Sequence, residues 1–460
     1  MHARLAAALT VCALSSCVSS PSTPAPADPL ALRAVEDLSP DPGVLELDLE
    51  ARETEKSYGA ASPTRVWSYN GSVPGPLLDA KVGDRVVVHF KNSLPEPTTI
   101  HWHGIRLPAA MDGSLAMQDP IPPGGTFEYA FTLKDAGLFW FHPHMRSDIQ
   151  VQKGLYGVIR VRGADEPAAD VERVLVLDDI RLAADGTVSE TLDDTSKMMG
   201  REGKTLLVNG VPNARLLLAP GSLARLRIVN VANGRFFNLR LPGHKLRVLG
   251  TDGGHFAKPR DVDTLLVSPG ERYDVMVRVE GAAGSEIPLV NEAYDRGHES
   301  GGAAPMEIMR VALSGEARPA VLPMAASFPE TARLADPSGG LPVTLDEVLR
   351  GEDIVFTING KAFPDVPPFA VKLGEIKAID IDNKSEMDHP FHLHGFFFQV
   401  VSRDGVAVAL DELVDKDTVV VRATSKMRIV ARFDEPGKWM YHCHILEHGE
   451  AGMMGEIHVE

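Results

Sequence analysis

Apolar and polar residues alternate in short runs along most of the chain, and no long stretch carries the 3.6-residue period of a helix. Three of these runs share one plan: a glycine, eight residues of alternating character, then an asparagine. They are residues 83–92 (GDRVVVHFKN), 221–230 (GSLARLRIVN) and 374–383 (GEIKAIDIDN). A period of two is the signature of a half-buried strand, since successive side chains point to opposite faces. An Asn-Gly turn signal precedes each run, at Asn70-Gly71, Asn209-Gly210 and Asn359-Gly360. The runs start 138 and 153 residues apart, which is the spacing of domains and not of solenoid repeats. Elsewhere short β-rich runs sit between Gly and Pro turns, as in residues 265–279 (LLVSPGERYDVMVRV). The pattern predicts an all-β chain of three consecutive β-sandwich domains.

The first residues read as an address. Arg4 precedes an apolar run over residues 5–14, and the small residues Ser15 and Ser16 precede Cys17. The tetrapeptide 14–17 (LSSC) resembles a bacterial lipobox. That resemblance implies a lipoprotein-type signal peptide over 1–16, a lipid anchor on Cys17 and a place on the periplasmic side of the cell envelope. Residues 17–43, rich in Ser, Pro and Ala, are expected to form a flexible tether. The composition is otherwise that of a globular protein, 44% hydrophobic and 24% charged. A formal charge of −17 excludes a nucleic-acid binder, which needs clustered cations for phosphate. No apolar run reaches the roughly 18 residues of a membrane-spanning helix, so membrane contact is expected only through the anchor. Three cysteines exclude a disulfide-stapled scaffold, and with Cys12 and Cys17 assigned to the leader and anchor only Cys443 remains.

The histidines alter the picture. With 16 in 460 residues, chance gives about half an H-x-H pair. Four are present: His101/His103, His142/His144, His392/His394 and His442/His444. On a strand, residues i and i+2 share a face, so each pair can present two imidazoles to one centre, and such clusters suit Cu, Zn, Fe or Ni. The first sandwich contributes residues 101–104 (HWHG) and 137–144 (GLFWFHPH), and the third answers with 392–395 (HLHG) and 437–444 (GKWMYHCH). The middle sandwich has none; near the equivalent place it reads Asn238-Leu239-Arg240. The eight imidazoles therefore point to a polynuclear metal site between domains 1 and 3, with domain 2 as a spacer or a substrate wall. The isolated His89, His244, His255, His298 and His458 are read as ordinary structural residues.

Domain 3 carries a second set. Cys443 lies between His442 and His444, so its sulfur faces away from their rings. His389 stands at an odd offset from His392, and His448 and Met453 follow downstream. A thiolate, two imidazoles and a weak thioether form the ligand set of a blue-copper electron-transfer site. In domain 1 the matching positions hold Pro143 and Thr98, so no second site can form there.

Residues 101–104, 142–144, 389–395 (HPFHLHG) and 442–453 (HCHILEHGEAGM) together resemble the four copper motifs of the three-domain multicopper oxidases, over about residues 44–460. The resemblance implies three cupredoxin-like Greek-key domains, expected at 44–165, 171–315 and 343–460, and four copper ions. By its motifs, His389, Cys443, His448 and Met453 would hold type 1 copper, and His101 and His392 type 2. His103, His142, His144, His394, His442 and His444 would hold the type 3 pair. It further implies one-electron oxidation of a small substrate near an exposed His448 edge, passage of electrons from Cys443 to its flanking histidines, and reduction of O₂ to water.

Asp112, nine residues past His103, is expected to act in proton delivery. Relatives often place an acid directly after the histidine at 448; here Gly449 stands there, and Glu450 is the nearest substitute. The substrate expectation is phenols or aromatic amines, or metal ions such as Cu(I). Phenols lead, because residues 296–345 hold only Met306, Met309 and Met324 and no Met-rich insertion; Met198, Met199, Met387 and Met440 are read as packing residues. A non-catalytic copper-binding protein of the envelope is the alternative, and the chain is expected to be monomeric.

Overall fold

The computed structural model describes residues 28, 30–59, 62–298, 300, 304–351 and 353–460. The expected signal peptide, Cys17 and the tether up to residue 27 lie outside the described residues. Among those described, no helix is long and apolar enough to cross a membrane.

The strands form three pairs of sheets with one repeated plan. In the first pair, Thr64–Tyr69, Val44–Lys56, Arg85–Asn92 and Thr126–Thr132 lie in that order. They pack on a sheet ordered Leu78–Lys81, Gly157–Arg162, Gly137–His142 and His101–His103. The third repeats it: Asp353–Ile358, Leu341–Arg350, Glu375–Asn383 and Lys426–Phe433 pack on Phe369–Val371, Met454–Val459, Gly437–Cys443 and His389–Leu393. In every domain the opening strand lies parallel to the strand of the Gly…Asn repeat: Val44–Lys56 on Arg85–Asn92, Val171–Ile180 on Leu223–Asn230, and Leu341–Arg350 on Glu375–Asn383. Parallel neighbours cannot be joined by a hairpin, so the chain reaches the repeat strand by way of the opposite sheet, a Greek-key course.

The repeated asparagines do matching jobs three times. Asn70, Asn209 and Asn359 take φ of 52°, 53° and 53°, the left-handed region that Asn tolerates and an Asn-Gly turn requires. Their Oδ1 atoms accept from the N–H groups of Glu50, Val176 and Thr344 at 2.7, 2.7 and 2.8 Å. Asn92, Asn230 and Asn383 end the repeat strands fully buried. Each donates from Nδ2 to main-chain carbonyls of the following loop and of a distant segment: Glu96 and Ile121, Arg235 and Val267, Met387 and Arg422, all at 2.7–2.9 Å. In domains 1 and 3 the clamped loop runs directly into a histidine strand.

The cores place the site. One apolar cluster runs without a break through domains 1 and 3, from Leu47, Val88 and Trp102 to Phe391, Ile429 and Trp439, whereas domain 2 has a cluster of its own. Residues 30–43 do not behave as the expected loose tether. Leu30 is buried in the domain 2 core and Leu32 packs where domains 1 and 2 meet, while the Arg33 carbonyl accepts from Leu77 N–H at 2.7 Å. Its apolar side chains hold the segment against both domains.

Candidate metal centre

All eight paired histidines converge between domains 1 and 3, and each is buried. The strands dictate this. His101–His103 pairs with Gly137–His142 so that His101 lies opposite His142, and His389–Leu393 pairs with Gly437–Cys443 so that His392 lies opposite His442. The rings of the two domains then interleave. His103 stacks on His392 with ring centroids 3.7 Å apart, and His101 on His394 at 3.8 Å.

The hydrogen bonds fix which nitrogens are free. His101 Nδ1–H donates to the Asp112 carbonyl at 3.0 Å and His392 Nδ1–H to the Asp417 carbonyl at 2.9 Å. Both Nε2 atoms are therefore lone-pair acceptors in the neutral rings, yet they face each other at 3.4 Å. His442 Nδ1–H donates to the Cys443 carbonyl at 2.9 Å and His394 Nδ1–H to Asp112 Oδ2 at 2.9 Å. Their Nε2 lone pairs also meet, at 3.1 Å, with His144 Nε2 at 3.3 Å from His442. Facing lone pairs repel, and a cation between them removes the repulsion. His103 Nδ1, His142 Nε2 and both nitrogens of His444 are buried without a partner, an arrangement that costs free energy unless a ligand takes them. The donor set fits copper.

Burial also sets protonation. Desolvation, followed by the neighbouring imidazoles, drives His103, His142, His144, His392 and His442 well below the usual imidazole range; burial takes His394 down to about 4 and His444 to about 3. These rings are neutral, as metal ligands must be. Burial alone would raise Asp112, but the rings of His394 and His101 offset this and hold its carboxyl well below the carboxylate range.

The second cluster lies across one strand. Cys443 Sγ is 3.4 Å from His389 Nδ1 and 3.7 Å from His448 Nδ1, and the two nitrogens are 3.3 Å apart. The point equidistant from these three donors lies about 2.0 Å from each, a metal–ligand length. Met453 is fully buried beside them, its N–H donating to the His448 carbonyl at 3.0 Å. Burial pushes the Cys443 thiol far up, so a thiolate there requires a cation. In domain 1, Thr98 and Gln150 fill the matching place with a 2.7 Å hydrogen bond.

Two expectations change. His448 has no exposed edge. Its ring is fully buried, stacked on Phe356 at 3.8 Å, and its Nε2–H donates to the Met198 carbonyl at 2.9 Å. Met198 belongs to Asp194–Met199, a domain 2 helix capped by Asp193, and that helix closes the site. The carboxylate of Glu450, the acid nearest to position 449, accepts from Ser147 N–H and Oγ at 2.7 and 2.8 Å. Domain 2 is thus more than a spacer, and it also supplies Gly270, whose Cβ would stand 2.9 Å from the His444 ring.

Sequence reasoning missed Ser385, Asp417 and Thr418. Ser385 Oγ lies 2.7 Å from His389 Nε2, and His103 Nε2–H donates to Asp417 Oδ1 and Thr418 Oγ1, both at 3.0 Å. The signal was there: Lys416-Asp417 opens the wholly buried strand Thr418–Val421, and buried charges are rare unless paired. His89, His255 and His458 pair with carboxylates and His244 with main-chain groups, while His298, near enough to His389 and His448 to act on their charge, pairs with Glu347.

Comparison with known proteins agrees with this geometry. Three family models described as multicopper oxidase match residues 50–166, 173–290 and 338–460. The multicopper oxidase MmcO of Mycobacterium tuberculosis is 33% identical over 96% of this chain and 92% of its own. Copper resistance protein A of Escherichia coli is 27% identical over 90% and 92%. The solved structure of a multicopper oxidase from Campylobacter jejuni, described as a metallo-oxidase, superposes with a TM-score of 0.83 at 29% identity, covering 93% of this chain and 94% of that one. With three cupredoxin-like β-sandwiches and a histidine cluster between the outer two, this chain belongs to the multicopper oxidase family and is a copper-dependent oxidase that couples substrate oxidation to reduction of O₂.

Proposed function

We propose that the chain holds four coppers and that its reducing substrate is a metal ion of the Cu(I) kind. His389, Cys443, His448 and Met453 would hold type 1 copper, and His101 and His392 type 2. His103, His142 and His444 with His144, His394 and His442 would hold the type 3 pair. The His144, His394 and His442 triad, the unpartnered nitrogens of His103, His142 and His444, the facing Nε2 atoms of His101 and His392 and the triangle around Cys443 support this division. Copper bound there supplies one-electron acceptance at the first centre and four-electron reduction of O₂ to water at the second. The protein holds the two sets on one strand. Cys443 turns its sulfur to one face and His442 and His444 turn their rings to the other, so one residue of backbone separates the centres in each direction. Asp112, ionised between His101 and His394, is the proposed proton-transfer carboxylate.

The closed His448 edge carries the substrate reading. A phenol cannot hydrogen-bond to the His448 ring directly, because its Nε2–H is already bonded to the Met198 carbonyl. A cleft of about 660 Å³ adjoins the closing helix, and its walls include the Met199 and Met306 thioethers, donors suited to a soft cation. Phenols or aromatic amines are the second reading, favoured by Phe236 and Tyr294 in the same cleft. Among solved relatives, the enzyme from an Ochrobactrum species (28% identical, TM-score 0.81) is described as acting on lignin model compounds. We further place the protein as a monomer in the cell envelope, anchored through Cys17, with domains at 44–165, 171–315 and 343–460.

Oxygen uptake on fully loaded enzyme tests the reading, with chelated Cu(I) and a substituted phenol as alternative donors. A higher kcat/KM for Cu(I) is expected. Phenol turnover with Cu(I) oxidised only at the uncatalysed rate would overturn it.

A further inference from the structure

We propose that Arg272, in the domain without histidine pairs, is a positioning residue for the oxygen-side copper cluster, acting through Asp417; this rests on the copper assignment above. Its guanidinium grips Asp417 with a two-pronged fork, Nη1 to Oδ1 and Nη2 to Oδ2, both at 2.5 Å. Both side chains are 1% exposed. The guanidinium is held in turn from domain 1, since its Nε–H donates to the Leu138 carbonyl at 3.0 Å on the strand that carries His142. Asp252 stands 3.4 Å from Nη1.

Asp417 is where this fork reaches the ligands. Its Oδ1 accepts from His103 Nε2–H at 3.0 Å, which leaves His103 Nδ1 as the buried, unpartnered nitrogen turned to the metal. Its main-chain carbonyl accepts from His392 Nδ1–H at 2.9 Å, which leaves His392 Nε2 free. Thr418 Oγ1 donates to Asp417 Oδ1 at 2.9 Å and lies 3.1 Å from His392 Nδ1. One residue thus chooses the tautomer of a ligand from domain 1 and a ligand from domain 3. Arg272 fixes that residue in place and in orientation. The packing leaves the fork no slack: a Cβ on Gly104 would stand 2.4 Å from Arg272 Nη2 and 2.7 Å from Asp417 Oδ2. Lys416, although adjacent, is spent elsewhere, with Nζ on Thr251, Asp252 and Glu271 at 2.8–3.2 Å. It cannot take over the grip on Asp417.

Partners of this kind, one bond behind the ligands, tune metal affinity by about 10–100-fold. Lysine keeps the charge of Arg272 but offers a point donor that cannot hold both carboxylate oxygens. In Arg272→Lys, cluster copper should therefore be lost to a chelator at about 10–100-fold lower concentration than in wild type, and the type 2 electron paramagnetic resonance signal should change. The blue type 1 band, whose ligands do not touch Arg272, should keep its position and its intensity per folded chain. Asp417→Asn should give the same signature and the double variant no more than either alone, because both act through one link. Wild-type chelator resistance with an unchanged type 2 signal in both single variants would overturn the proposal. So would parallel loss of blue band and cluster copper, which marks a purely structural tie. A wild-type protein that loads a single copper would instead sink the copper assignment itself.

Discussion

Met453 is held beside its partners by the main chain, its carbonyl accepting from Cys443 N–H at 3.1 Å, while Met454 starts the next strand opposite His442. Cu(II) gains more than Cu(I) from a fourth, axial donor added to a His₂Cys set, so Met453→Leu, which removes that donor, should raise the type 1 potential. Each tenfold loss of Cu(II) affinity relative to Cu(I) adds about 59 mV for a one-electron couple. Redox titration of the blue band checks this, and an unchanged or lower potential would move the axial role to Met454. Asp112 admits a complementary test at the other centre. Asn is isosteric but cannot carry a proton, so Asp112→Asn should slow oxygen uptake by about 10²–10⁴-fold. Bleaching of the blue band by substrate under argon should keep its wild-type rate. A uniform slowing of both steps would mean that Asp112 only supports the fold.

The three clamped loops give an experiment with an internal control at the level of elements. Asn383→Ala leaves the buried Ser385 N–H without its Oδ1 acceptor, and Asn230→Ala does the same to the buried Ala232 N–H. Each orphaned group costs about 1–3 kcal/mol, so both variants should lower the melting temperature. Only the loop after Asn383 delivers Ser385 and His389, so only that variant should shift the blue band; equal shifts, or none, would refute the link between clamp and site. These asparagines also show what was legible in advance. Period-two alternation gave the strands, and the same-face rule brought the H-x-H pairs together, because both depend on local geometry alone. The carbonyls that Asn92 and Asn383 satisfy at Ile121 and Arg422 are set by tertiary packing, so the repeat was visible but its purpose was not. The closure of His448 was hidden for the same reason, since Met198 lies 250 positions away. In residues 30–43 the signal was present: Leu30, Leu32 and Val35 are too apolar for a linker that stays in water.

Across the whole molecule, the join between domains 1 and 2 is sensitive to pH and the join between 1 and 3 holds the chemistry. Tyr156 of domain 1 donates to Asp178 of domain 2 at 2.5 Å, and burial, then the adjacent Asp179, pushes Asp178 up from 3.8 to about 7. Below pH 4 the group is protonated in both states. As pH rises from 4 to 7 the unfolded chain ionises and the folded one does not, so this group withdraws stability by up to about 1.4 kcal/mol per pH unit. Asp178→Asn should gain on wild type across that window in chemical denaturation and stay level above it. A constant difference would refute the shift. The domain 1–3 join is tested by His101→Ala, which removes a domain 1 ligand on the far side of the His442–Cys443–His444 strand from Cys443 Sγ. All four proposed type 1 ligands lie in domain 3, so the blue band should survive and substrate should bleach it under argon at the wild-type rate. Four electrons can no longer be delivered together at an intact cluster, so recovery of the blue colour on admission of air should collapse. Stopped-flow absorbance separates the two steps in one sample. Recovery at the wild-type rate would mean that domain 1 takes no part in oxygen reduction, and the convergence of eight imidazoles between the outer domains would need another explanation.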